Sequence, residues 1–170
     1  MNILINALKK ILASEIYYHG SLDDFKEFNK PGGGHHGKGY YFTPSLSDAI
    51  WYAKSNWVIN KKYGSPLIIY SVKLNIHSPF DPMSYEDAKR VADYYGLNYT
   101  SHRYAGFQYK LLKSEMIEKG LANEQNFNDK IEAAGFDHID YWKENYKVVF
   151  DPKNITIVDK KIGKNISDFS

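Results

Sequence analysis

The order in which strand-like and helix-like runs follow one another constrains this chain more than any other feature. Glu15–Gly20 and Gly39–Thr43 are short, aromatic-rich runs bounded by turn residues, and Leu67–Leu74 is a longer β-branched and aromatic run closed by Asn75, Ser78 and Pro79. Between the second and third, Ser45-Leu46-Ser47-Asp48 has the pattern of a capped helix start ahead of Ala49, Ile50, Ala53 and Trp57. The middle is helical. Ser84 with Asp87 again reads as a cap, a second helix runs to about Lys119, and a third runs from about Glu124 to Ala134. These helices stop at Gly96, Gly120 and Gly135, because glycine enters the left-handed conformation without a Cβ penalty. Strand character returns in His138–Trp142, Tyr146–Phe150 and Ile155–Val158. Strands, then helices, then strands describe an α+β fold whose terminal strands close the sheet begun near the N-terminal end.

Length sets the scale of that fold. With 170 residues and no repeat, low-complexity stretch or linker, the sequence is read as a single domain over 1–170, large enough to fold without staples. Residues 1–14 read as an amphipathic helix, with Leu4, Leu8 and Leu12 on one stripe and Ile11 beside it. Lys9 and Lys10 interrupt that run where an export signal needs its apolar core, so the expected location is the cytoplasm, and membrane-surface binding is the lesser use. No apolar run approaches the ~20 residues that span a bilayer. Of the 22 basic residues only Arg90 and Arg103 are arginines, which leaves few side chains for bidentate guanine contacts and argues against sequence-specific DNA binding. With no cysteine, thiolate nucleophiles, disulfides and thiolate metal sites are excluded.

Two segments invite a chemical reading. In Pro31-Gly32-Gly33-Gly34-His35-His36-Gly37-Lys38-Gly39 successive glycines let backbone N–H groups cradle an anion, yet the same run reads equally as a flexible connection between strands. Its spacing is neither a phosphate-binding loop nor a dinucleotide fingerprint, since a strand and not a helix follows. His35 and His36 point to opposite faces of an extended chain, so they do not share an ion, and no metal is expected. His77, His102 and His138 are scattered singles, read as surface or structural residues.

His19 ends an apolar strand and is followed by Gly20-Ser21. Downstream, Gly37-Lys38-Gly39-Tyr40-Tyr41-Phe42 is followed by Ser47 and then Tyr52. Together these closely resemble the first two motifs of the poly(ADP-ribose) polymerase family, the diphtheria-toxin-like branch of the ADP-ribosyltransferases. Tyr70–Asp81, Gly135-Phe136-Asp137 and Val148-Val149-Phe150-Asp151-Pro152 are similar, more loosely, to bacterial and phage-encoded members. The resemblance spans about residue 16 to 158, with the helical insert 83–134 unmatched. It implies a split antiparallel sheet core and NAD as co-substrate. By the same resemblance His19 would bond the adenosine ribose, the Gly20 backbone and the Ser47 hydroxyl would hold the nicotinamide carboxamide, and Tyr52 would stack on the nicotinamide ring. Tyr41 would be the tyrosine of the family's His-Tyr-Glu triad. Ser21, Gly39, Phe42 and Tyr146 complete the residues expected to line NAD. A planar cationic ring between two phenols gains stacking and cation–π energy, which suits these tyrosines. Tyr40 alternates with Tyr41 and is read as a core aromatic facing the other side.

The third motif departs from the family. Its glutamate stands four residues before the strand's final aromatic, and counting back from Phe150 that position is Tyr146. The nearest carboxylate, Glu144, lies two residues further back, on the same strand face but about 6–7 Å away. Either a bulge brings Glu144 into place as the catalytic acid, or Tyr146 fills the pocket and leaves none. Polymer elongation is therefore not expected. The first reading is a mono-ADP-ribosyltransferase, in the role of a toxin, anti-defence factor or regulator. A non-catalytic module binding NAD or ADP-ribose is the second, and an interaction protein with an empty pocket the third.

Overall fold

The computed structural model describes residues 15–34, 37–100, 106–141 and 146–169. The amphipathic helix expected over 1–14 lies outside them, as do His35, His36, His102, Arg103, Trp142 and Glu144. In chain order the elements are β1 (Ile16–Ser21), β2 (Gly32–Gly34), β3 (Gly37–Phe42), α1 (Leu46–Asn60), β4 (Leu67–Leu74), β5 (Pro79–Phe80), α2 (Tyr85–Tyr94), α3 (Gln108–Glu118), α4 (Phe127–Ala133), β6 (His138–Tyr141), β7 (Tyr146–Val149) and β8 (Ile155–Gly163). The fold is α+β, and two compact units divide the chain.

The first unit gathers the described residues of Met1–Lys26, Thr43–Asn75 and Ile155–Ser170. Its sheet is antiparallel in the order β1-β4-β8. The helix α1 is capped as the sequence predicts: the Ser45 hydroxyl accepts from the Asp48 amide at 3.2 Å. Its Ala49, Ile50 and Ala53 bury against Leu67 and Ile69 of β4 and against Phe169. Alternate residues Ile68, Tyr70 and Val72 are buried as well, so β4 is covered on both faces along its apolar first half. Between Ser71 and Val72 the register with β8 shifts, and Val158 takes up the extra position.

The second unit holds Glu27–Phe42 and Ile76–Asn154. Its five-stranded sheet runs β2-β3-β7-β6-β5, antiparallel except for the β5–β6 pair. The three helices pack Val91, Leu112, Met116, Phe127 and Ile131 onto Ile139 and Val148 of that sheet. Ser84 caps α2 by accepting from the Asp87 amide, and Gly96, Gly120 and Gly135 all take positive φ where helices were expected to stop. Asp137 accepts from the amides of His77 (2.7 Å) and Ser78 (3.1 Å), which starts β5 alongside His138.

Three expectations are corrected. The terminal strands do not close one sheet: β8 joins β1 and β4, whereas β6 and β7 join β3. Pairing partners are a tertiary choice that apolar patterning does not encode. The glycine run is neither a loose connection nor a free cradle, because Gly32–Gly34 pairs with Gly37–Gly39, using backbone groups that need no side chain. The last helix begins at Phe127 instead of Glu124, because the Asn123 side chain accepts from the amides of Gln125 and Asn126 (both 2.9 Å) and holds a turn there.

Candidate active site

In the first unit the end of β1 presses against α1. A Cβ on Gly20 would lie 2.0 Å from the Ala49 carbonyl oxygen and 3.1 Å from the Ala53 Cβ, so only glycine fits. Ala49 lies between Ser47 and Tyr52 in the chain, and this contact brings the His-Gly-Ser strand end onto the helix carrying both. The Ser47 hydroxyl shares a 2.9 Å hydrogen bond with that of Ser45. Tyr52 is 47% exposed and meets Trp51 edge-on at 5.5 Å. Ser21 closes a local turn, its hydroxyl accepting from the Asp23 amide at 3.0 Å.

His19 alternates with Gly20 and therefore lies on the sheet face away from α1. It stands opposite Tyr70 across the strand pair, the rings 6.3 Å apart, with Phe25 at 6.1 Å. Phe25 stacks on Tyr70 at 4.2 Å and its amide donates to the Tyr70 hydroxyl at 2.8 Å. That hydroxyl also lies 3.2 Å from the Asp24 carboxylate, which Lys160 bonds at 2.7 Å. The lysine bond holds the Asp24 carboxyl below its ordinary range, and burial pushes the Tyr70 phenol up. The segment after the motif is thus latched beside His19.

In the second unit Tyr41 projects from β3, half-buried, and its hydroxyl donates to the Gly37 carbonyl at 2.6 Å. Its ring lies 6.3 Å from that of Tyr146, which is 8% exposed and stacks on Tyr141 at 4.8 Å. Tyr146 is thus a buried phenol within an aromatic stack. Tyr40 and Phe42 face the other side and pack edge-on to Phe28 at 5.6 and 5.3 Å. Phe42, expected to line NAD, is core at 1% exposure, because it alternates with Tyr41. A Cβ on Gly39 would sit 2.4 Å from Val148 Cγ1, so that glycine serves strand packing. Glu144 lies outside the described residues.

A family model described as ADP-ribosyltransferase in polyvalent proteins matches residues 14–165. The chain belongs to this family of ADP-ribosyltransferases. NAD is the substrate of that family, and the fold is the α+β arrangement its members imply. The matched range takes in both units and includes the helical middle. No curated protein and no solved structure matches the chain. Among the described residues no helix is long and apolar enough to cross a membrane, and no cluster of three metal-ligating side chains occurs.

This ADP-ribosyltransferase domain also has contacts that its motifs do not reveal. Asn128 of α4 donates to the Lys38 carbonyl at 2.8 Å and accepts from the Tyr109 hydroxyl of α3 at 2.8 Å. Asn128 reaches β3 from 90 residues away, a separation at which no local sequence signal operates.

Proposed function

We propose that the chain is a mono-ADP-ribosyltransferase that cleaves the nicotinamide–ribose bond of NAD and passes ADP-ribose to an acceptor. The bond from ribose C1′ to nicotinamide nitrogen breaks, nicotinamide leaves as a neutral molecule, and the acceptor's nucleophilic atom bonds C1′ as its proton goes to solvent. Positive charge develops on the ribose as in glycoside hydrolysis, so a carboxylate beside C1′ lowers the barrier, while contacts to the nicotinamide ring and carboxamide bind and orient NAD. By the resemblance, His19 would hold the adenosine ribose, Gly20 and Ser47 the carboxamide, and Tyr41 and Tyr52 the nicotinamide ring, with Glu144 the carboxylate that stabilises charge on the ribose. The observation that carries this reading is the Gly20–Ala49 contact. It joins the His-Gly-Ser strand end to the helix bearing Ser47 and Tyr52, which gives the spacing between two sequence motifs a physical purpose.

A second reading, a module that binds NAD or ADP-ribose without cleaving it, is favoured by Tyr146. Its buried ring stands where the family's pattern has a carboxylate, and it has no charge to offer the ribose.

The test is nicotinamide release from NAD by the purified protein, with and without lysate of a candidate host, and with His19→Ala as control. Release that depends on lysate and falls at least about a hundredfold in the variant supports the transferase, since an orienting contact carries that much. A folded protein whose melting temperature rises with NAD, but which releases no nicotinamide, establishes the binding module instead.

A further inference from the structure

The helical middle carries no motif, yet it supplies the polar groups that fix the strand bearing Tyr41. Gly37 begins that strand at φ +83°, and a Cβ there would meet Asn128 Nδ2 at 2.9 Å and the Tyr109 hydroxyl at 3.1 Å. Helix α4 is therefore seated directly on the Gly37 backbone. From this seat Asn128, 2% exposed, donates to the Lys38 carbonyl at 2.8 Å, while its own carbonyl oxygen accepts from Tyr109, also 2% exposed, at 2.8 Å. The orientation of the amide is settled by its partners, because a backbone carbonyl only accepts. The preceding carbonyl, that of Gly37, accepts the Tyr41 hydroxyl at 2.6 Å. Two consecutive carbonyls are thus held, one by Asn128 of α4 and one by Tyr41 of the strand itself. An exposed ion pair, Lys38 Nζ to Asp129 at 3.1 Å, ties the same two elements together on the outside.

We propose that Asn128, oriented by Tyr109, is a positioning residue for NAD: it fixes the Gly37–Lys38 peptides that anchor the Tyr41 hydroxyl, and so sets the plane of the ring that faces nicotinamide. The inference rests on the reading of Tyr41 given above and assigns the helical middle a part in cofactor recognition. Asn128 touches no substrate and acts through Tyr41. Burial makes the device rigid, since a buried amide that loses a partner is left with an unsatisfied group and no water to replace it.

Asn128→Asp tests it. The variant keeps the size and the acceptor for Tyr109 but sets a carboxylate oxygen against the Lys38 carbonyl. A stacked ring contact is made in the ground and transition states alike, so the KM for NAD is expected to rise about tenfold with kcat within about threefold of wild type. Asp129→Asn removes the exposed tie between the same elements and leaves both constants unchanged. Tyr41→Phe combined with Asn128→Asp should exceed the larger single effect by less than about twofold, because both act through the same pair of peptides. A folded Asn128→Asp protein with wild-type KM, or effects that multiply in the double variant, overturns the proposal. If that variant melts below the assay temperature, Tyr109→Phe carries the same test by removing one hydroxyl. If wild type binds NAD without cleaving it, the calorimetric Kd for NAD replaces KM and the same ratios apply. A wild type that neither binds nor cleaves NAD fails at the reading of Tyr41 itself, and that is seen before any variant is compared.

Discussion

His138 shows how much a single side chain can encode about the chemistry of folding. Its ring is 3% exposed and its Nδ1 lies 2.6 Å from the Asp137 carboxylate. Burial lowers its pKa below the ordinary 6.5, and outweighs the neighbouring carboxylate, which works the other way. The folded ring is therefore neutral near pH 7 and donates to Asp137 as a hydrogen bond. Burial opposes charge on Asp137 too, but the bonds from His138 and from the His77 and Ser78 amides overcome it and hold that carboxyl below its ordinary range. The sign of the pH dependence follows. As pH falls below about 6.5 the unfolded chain takes up a proton that the folded ring resists, so stability drops from there downward. Asp137 adds a further loss only below about pH 4, where the unfolded chain takes up a proton that the folded carboxylate resists. Melting temperatures between about pH 7 and pH 5 should fall in wild type and flatten in His138→Gln. Equal slopes in the two proteins would show that other groups set the acid limit.

Among the elements, β1 and α1 make the tightest junction in the first unit, and Gly20 is why. A methyl group there meets the Ala49 backbone at 2.0 Å, and backbone cannot swing aside as a flexible side chain can. Gly20→Ala should destabilise the fold by on the order of 2–3 kcal/mol as strand and helix are forced apart. Chemical denaturation measures it directly, and a loss under about 0.5 kcal/mol would mean the junction yields easily. The local grammar of these elements was legible. The serines at 45 and 84 cap helices, and the glycines at 96, 120 and 135 adopt the left-handed backbone that ends them. Each of these devices needs only a few neighbouring residues. The role of Gly32–Gly34 is not legible in this way, because it depends on a partner strand and not on its own side chains. Likewise the start of α4 shifted to Phe127 because an asparagine at 123 competes for the same amides a longer helix would use.

At the scale of the whole molecule, both units are assembled from separated stretches of chain. The first draws on three segments and the second on two, with Glu27–Phe42 contributing β2 and β3 to a sheet otherwise built from Ile76–Asn154. A fragment of residues 76–154 would leave the edge of β7 unpaired where β3 belongs. It should lack a cooperative unfolding transition by circular dichroism, whereas the full chain has one. A sharp transition in the fragment would show that the helices and β5–β7 suffice on their own.

The sequence by itself determined the class of the fold and the ends of most helices. Those features are set by backbone sterics, capping and spacing, all of which act within a few residues. Only the tertiary structure decided that the terminal strands divide between two sheets, that Phe42 is core, and that Tyr146 is stacked on Tyr141. It also decided that Asn128 reaches across 90 residues to hold the strand carrying Tyr41. Strand pairing and buried hydrogen bonds depend on which distant groups can be satisfied together once water is excluded, and that choice belongs to the folded chain as a whole.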